Sequence, residues 1–281
     1  MVQITKMQTH KNRQAFSYLR IFLFLLFLFT APLTEVSAKP GKAAKAIRTA
    51  TPVEVADEAL WHMNYPKADS LYSLELRNNP GNADLNWKMA RLHVSLGEAV
   101  PPGNSDARMH HFHKAAEYAR TCISLDSLNG KGHTWLAASL GMMADKIGTK
   151  EKLKRAKEIK RELDTALRLN PNDETALSML GSYYREAAKI GWFKRMVGNA
   201  FLGEVPKGDF TLAEKAFRKA ISHDSRIIRN YHELALICID SGNKEEAIVL
   251  MKTALEKPIL FETDKIRIEE MRALLKKLTN E

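Results

Sequence analysis

Four or five times along this chain a pair of amphipathic helical stripes repeats, and the copies agree position by position. In the clearest copy Leu177, Leu180, Gly181 and Tyr184 share one stripe, and Ala213, Phe217 and Ala220 share a second. The last complete copy has Tyr231, Leu234, Ala235 and Cys238, then Ala247, Met251 and Ala254. Small residues stand where two helices would touch, and large ones stand beside them to fill the gaps. One such pair cannot cover its own apolar faces, so the pairs must stack. A stack presents a binding surface more readily than a catalytic centre.

This is tetratricopeptide logic, whose ideal period is about 34 residues. It predicts an all-α, tetratricopeptide-like right-handed α-solenoid of about five helix pairs with a C-terminal capping helix, over residues 52–281. The first helix begins near Pro52, since proline suits a first helical turn. Unit one spans Val53–Met63 and Lys67–Leu76. Unit two carries Trp87, Ala90, Arg91 and Val94, then Ala115, Ala119 and Cys122. Unit three carries Ala137, Leu140 and Gly141, then Ile159, Leu163 and Ala166. A last amphipathic helix, Glu262–Leu278, is expected to cover the exposed face of unit five. Pro80, Ser127, Pro171 and Ser225 fill one slot at separations of 47, 44 and 54 residues. The excess over the ideal period falls between the paired helices, at Leu96–Arg108, Ile147–Lys150 and Ile190–Phe210. Insertions at equivalent turns line one edge of a solenoid.

The chain ahead of this stack reads as an export signal over residues 1–38. Lys11, Arg13 and Arg20 precede an apolar core from Ile21 to Leu33, and Val36-Ser37-Ala38 offers small residues for cleavage. The expected location is periplasmic or extracellular, the alternative being an N-terminally membrane-anchored chain. The core is short for a spanning helix. Residues 39–51, rich in Lys and Ala, read as a flexible tether. The net charge of +10 is spread along the chain and permits acidic partners without requiring nucleic acid. The two cysteines, Cys122 and Cys238, occupy helix-contact positions three units apart and read as buried thiols rather than a disulfide.

Two sets of residues are candidates for contact with a partner. The first is the inner face of the leading helices: Lys88, Leu92, Trp135, Met142, Arg185, His232 and Leu236. Basic and apolar side chains together suit an extended acidic peptide or a lipid. The second is the unit-four insertion, where Trp192, Phe193, Met196 and Phe201 form an apolar stripe with Arg195 on the other side. That stripe can brace the turn or meet a partner or lipid surface. Lys150, Lys154, Lys157 and Arg161 form a basic face of a further helix, by default a solvated one, the alternative being contact with an acidic partner or an anionic lipid surface. His110, His111 and His113 lack the i, i+4 spacing of helical metal ligands, so no metal is expected. His232-Glu233 begins like a zinc-protease motif, but Leu236 stands where its second His belongs. No nucleophile elbow or phosphate-binding glycine loop occurs, and neither an enzyme nor a cofactor is expected.

Trp192-Phe193-x-Arg195, followed by Phe201-Leu202-Gly203 and Pro206, resembles the signature of the regulator of microtubule dynamics protein family. The order of further motifs is similar: Trp87-Lys88-Met89-Ala90-Arg91, His133-Thr134-Trp135, Leu169-Asn170-Pro171, Leu180-Gly181, Glu245-Glu246-Ala247, Leu255-Glu256-Lys257-Pro258 and Thr263-Asp264-Lys265. The resemblance covers roughly residues 55 to 280, and the signal would make this an exported member of bacterial type. It implies a tetratricopeptide-like solenoid without enzymatic chemistry, in a family whose animal members associate with microtubules, spindle poles or organelle membranes. The expected function is a scaffold for a protein or peptide partner. A lipid-binding module working through residues 191–203, with an anionic lipid surface as partner, and a microtubule-associated regulator are the alternatives.

Overall fold

A computed structural model describes residues 49–143, 149–190, 199 and 207–279. The chain divides into two units, Met1–Thr49 and Ala50–Glu281. Residues 1–38, expected to be an export signal, lie outside the described residues, as do Trp192, Phe193, Arg195, Met196 and Phe201 of the insertion edge.

Every described secondary-structure element of the second unit is helical. The pairs are α1 (Pro52–Trp61) with α2 (Tyr65–Asn78), α3 (Ala83–Ala99) with α4 (Ser105–Leu125) and α5 (Gly130–Met142) with α6 (Thr149–Leu169). They continue with α7 (Glu174–Ala188) and α8 (Phe210–His223), then α9 (Ile228–Asp240) and α10 (Lys244–Leu255), before a single helix α11 (Glu262–Thr279). Five pairs and a closing helix make the tetratricopeptide-like solenoid expected above.

Local sequence sets the helix ends. Thr51 closes a capping box with Glu54, and Pro52 occupies the first turn, where its missing N–H costs nothing. Asn64, Asn82, Asn104, Asn129 and Asn243 cap five more helices, each side chain accepting from a backbone N–H three residues on. The link between one pair and the next repeats as well. Asn82, Asn129 and Asp173 donate their backbone N–H to the carbonyls of Asn79, Asp126 and Asn170. This is the turn that holds the recurrent slot of Pro80, Ser127 and Pro171. Asp173 does most: it caps α7, accepts from Thr134 Oγ1 at 2.9 Å and pairs with Lys131 at 3.1 Å.

The second helix of each unit buries the small–large pattern. Ala115, Ala119 and Cys122 are fully buried on α4, as are Ala213, Phe217 and Ala220 on α8 and Ala247, Met251 and Ala254 on α10. Their partners are correspondingly small. A Cβ on Gly181 of α7 would come within 2.8–2.9 Å of three Phe217 ring carbons, and one on Gly132 of α5 within 2.8 Å of Cys122 Sγ. Both cysteines are buried free thiols, and burial pushes each up to about 11.

Two features differ from the sequence expectation. Most of Leu96–Arg108 is not an insertion loop: α3 continues to Ala99 and α4 starts at Ser105, so the extra residues lengthen the paired helices. Gly97 lets the lengthened pair close, since the Phe112 ring sits where its Cβ would be. The second difference is at the C-terminus. Besides covering α9 and α10, α11 packs on α3, so the last helix reaches back to the second unit. Its apolar side, with Met271 and Ile268, joins the α9–α10 core.

The α3–α4 pair also encloses two histidines. His93 and His111 meet Nδ1 to Nδ1 at 3.1 Å, and His93 stacks on Tyr118. One ring must offer a bare nitrogen, so the pair cannot hold both Nδ1 protons. Burial, reinforced by His111 and Lys114, pushes His93 down to about 4, and burial likewise lowers His111.

Two outcomes follow from this packing. Gly181→Leu overpacks the Phe217 contact and should lower stability by about 2–4 kcal/mol, read as a fall in the urea midpoint; an unchanged midpoint contradicts the contact. Because His93 titrates lower folded than unfolded, its contribution is complete above about pH 6.5 and is lost as pH falls toward 4. Stability at pH 5 should be up to about 2 kcal/mol below that at pH 7.5, and His93→Phe, which keeps a ring on Tyr118, should shrink that difference.

Candidate functional site

The leading helices α1, α3, α5, α7 and α9 face the inside of the curve, where a superhelical stack offers its groove. Here the curve is tight enough for its two ends to meet. Trp61, at the end of α1, has the guanidinium groups of Arg91 and Arg226 over its ring, 4.1 and 5.1 Å from the ring centre, and meets Phe261 edge to face at 6.3 Å. Glu98 of α3 pairs with Arg229 of α9 at 3.2 Å, across 131 residues of chain. These contacts join the first two units to the fifth.

Much of the groove is thereby filled from within. Arg185 of α7 pairs with Glu233 of α9 at 2.9 Å, Arg267 of α11 with Asp264 at 3.2 Å, and His232 of α9 faces Glu270 of α11 at 3.5 Å. Burial lowers both Arg267 and His232. The polar side of α11 thus supplies the charges that an external ligand would otherwise bring to this part of the curve.

What remains is a cavity of about 120 Å³ lined by α3, α5, α7, α9, Trp61 and Phe261. Its wall is aromatic and thioether-rich: Trp61, Trp87, Trp135, Met142, Met179 and Phe261. Its charged groups are largely engaged with one another. Glu98 holds Arg229, Glu174 holds Lys131 and Asp224 holds Arg226. Arg91 is engaged by the Trp61 ring, and burial lowers its pKa. Three buried polar side chains stand apart. Trp135 Nε1, Ser178 Oγ and both Asn230 amide atoms have no hydrogen-bond partner among the described residues. They come from α5, α7 and α9, and all three residues line this one cavity. A buried polar group without a partner costs about 1–3 kcal/mol, so several at one cavity mark a surface built to be completed by something else.

The seven groove residues expected from sequence divide accordingly. Trp135 and Met142 line the cavity. Leu92 is a correction: it is fully buried against Ala56, Ala68 and Tyr72 of the first unit and offers no surface. Lys88 is bound at 2.6 and 2.7 Å to Asp57, which also accepts from Tyr72. Arg185 and His232 pair with Glu233 and Glu270 in the internal network, and their Nε and Nδ1 atoms have no hydrogen-bond partner among the described residues. Leu236 is half-buried and does not line the cavity. Counting inner faces assumes an open groove, and the closing helix removes that condition. Ser178, Asn230, Arg229 and Trp61 went unnamed because no periodic signal sets them apart; only the curvature brings them together. Among the described residues no three His, Cys, Asp or Glu side chains converge as metal ligands.

The family model for regulator of microtubule dynamics proteins 1-3 matches residues 53–279. The Caenorhabditis elegans regulator of microtubule dynamics protein 1 is 25% identical over 209 residues, 74% of this chain and 91% of its own length. The Bos taurus protein 1 is 26% identical over 226 residues, covering 79% and 71%. Among solved structures, a thermophilic TPR protein of Thermus thermophilus superposes with a TM-score of 0.56 at 16% identity, over 79% of this chain and 97% of that one. That likeness shows the tetratricopeptide fold. With the match running from the first helix through the last, the chain belongs to the regulator of microtubule dynamics protein family.

Proposed function

We propose that this chain is a non-enzymatic adaptor that seats one side chain and its flanking peptide groups from a partner protein in the inner cavity. The observation that carries this reading is the set of unpaired groups on Trp135, Ser178 and Asn230 at one aromatic-walled cavity. The Asn230 amide offers an NH2 donor group and a C=O acceptor, which complement the C=O and N–H of a peptide backbone. Size favours a polypeptide anchor over a metabolite: about 120 Å³ is the scale of one side chain, whereas small-molecule sites run about 300–1,000 Å³. Aromatic and arginine walls are the composition of interface hot spots. Since Glu98, Arg229, Glu174, Lys131 and Asp224 each have an ionic partner and Arg91 is held by the Trp61 ring, the anchor is an uncharged residue. The proposal carries the export reading with it: a chain cleaved after Ala38 would meet its partner outside the cytoplasm. The names of the relatives attach the family to microtubule dynamics, and for this chain such a role is one choice of partner within the adaptor reading.

Three of the four tryptophans in the sequence line the cavity, so intrinsic fluorescence reports its occupancy. Peptides selected from a displayed random library on the full chain should change that fluorescence on titration. Ser178→Leu, which fills the cavity from a helix position, should weaken them by about tenfold or more, as expected when a central anchor loses its seat. Selected peptides that bind the variant as tightly as the parent would overturn the reading.

A further inference from the structure

A second surface shares no lining residue with the inner cavity. Between α6 and α7, and reaching Lys207 beyond the unit-four insertion, runs a cleft of about 670 Å³. Lys157, Lys160, Arg161, Arg168 and Lys207 line it against a single carboxylate, Asp164. Two of these cations are already engaged. Lys160 is held by Asp164 at 2.7 and 2.8 Å, and Arg161 by the buried Glu162, itself fixed by His133 at 2.6 Å. Lys157, Arg168 and Lys207 have no carboxylate partner among the described residues. An excess of like charge in one concave place repels itself and destabilises the free protein. Nothing in the packing of α6 requires it, because the buried side of that helix is carried by Leu163 and Ala166.

We propose that this cleft docks an acidic, extended segment of a partner protein, independently of the inner cavity. On α6, Lys157, Arg161 and Arg168 share one face, and eleven residues of helix span about 16 Å. An extended chain rises about 3.3 Å per residue, so about five residues match that length. Nucleic acid fits less well because the aromatic faces are in use. Tyr183 packs on the Leu163 core and meets Tyr184 edge to face, while Lys160 lies 5.7 Å over the Tyr184 ring. Bases would find no free ring to stack on. A lipid surface fits less well too: apart from those two tyrosines the lining is polar or charged and offers nothing to enter an acyl layer.

The test is fluorescence anisotropy on the full chain with a labelled peptide of about five consecutive glutamates in a Gly-Ser frame. The comparison probes are the same peptide with glutamines and a single-stranded RNA of equal charge. The glutamate peptide should bind at ~50 mM salt and weaken steeply as salt rises, and the glutamine peptide should not bind. Lys157→Glu with Arg168→Glu should weaken binding about tenfold or more. Lys276→Glu with Lys277→Glu, the same charge change on α11, should leave it within about twofold, and Ser178→Leu should leave it unchanged. Both cleft positions are exposed, so thermal melting should match the parent; if it does not, the Lys157→Gln, Arg168→Gln pair supplies the comparison. Absence of binding at low salt, equal losses in the two charge-reversal variants, or tighter binding of the RNA would each overturn the proposal. Loss of glutamate binding in Ser178→Leu would overturn its independence from the inner cavity.

Discussion

Close approach of antiparallel helices, allowed by residues with little or no side chain, is the constraint on which this molecule rests. Phe217 can lie flat against α7 only because position 181 lacks a Cβ, and Cys122 can reach α5 only because position 132 does. The alanines that flank Phe217 and Met251 are as fully buried as the large residues between them. Interiors packed at crystal-like density lose dispersion contacts as soon as a helix is held away. Each such contact sets the distance between two rods, and the succession of contacts sets the curvature.

That curvature has a functional consequence. A gently curved stack leaves an open groove, and a partner supplies whatever fills it. Here the curve brings the fifth unit to the first, with Trp61 clasped by Arg91, Arg226 and Phe261 and with Glu98 bound to Arg229. The chain then fills part of its own groove with α11. Among the described residues a cavity the size of one side chain remains, and its wall carries unused hydrogen-bonding groups on Trp135, Ser178 and Asn230. A narrow seat for an anchor replaces a wide surface for an extended peptide.

Much of this was legible in the sequence. The pairing of helices, their order, the closing helix and the buried thiols follow from periodicity and from small residues at matched slots, because local spacing determines which face of a helix is apolar. The turn between units was visible in the Pro80, Ser127 and Pro171 slot, although the capping asparagines behind it were not singled out. Closure was not legible. Trp61 and Arg226 are far apart in the chain, and neither belongs to a repeating pattern, so only the accumulated rotation of the units places them in contact. Leu92 illustrates the same limit: it lies on a leading helix but points back into the first unit. The basic cleft was half visible, since Lys157, Arg161 and Arg168 stand on one helical face, whereas Tyr183 and Lys207 join them only through the fold.

The account stands on the two ends of the curve meeting in solution. A double-mutant cycle on Glu98 and Arg229, using Glu98→Gln and Arg229→Gln singly and together in urea unfolding, measures that meeting directly. The two side chains are part-buried and 131 residues apart in sequence, so only closure can couple them. A coupling energy of about 1 kcal/mol or more is the predicted result. Effects that add within about 0.3 kcal/mol would mean an open curve, and the closed cavity would go with it.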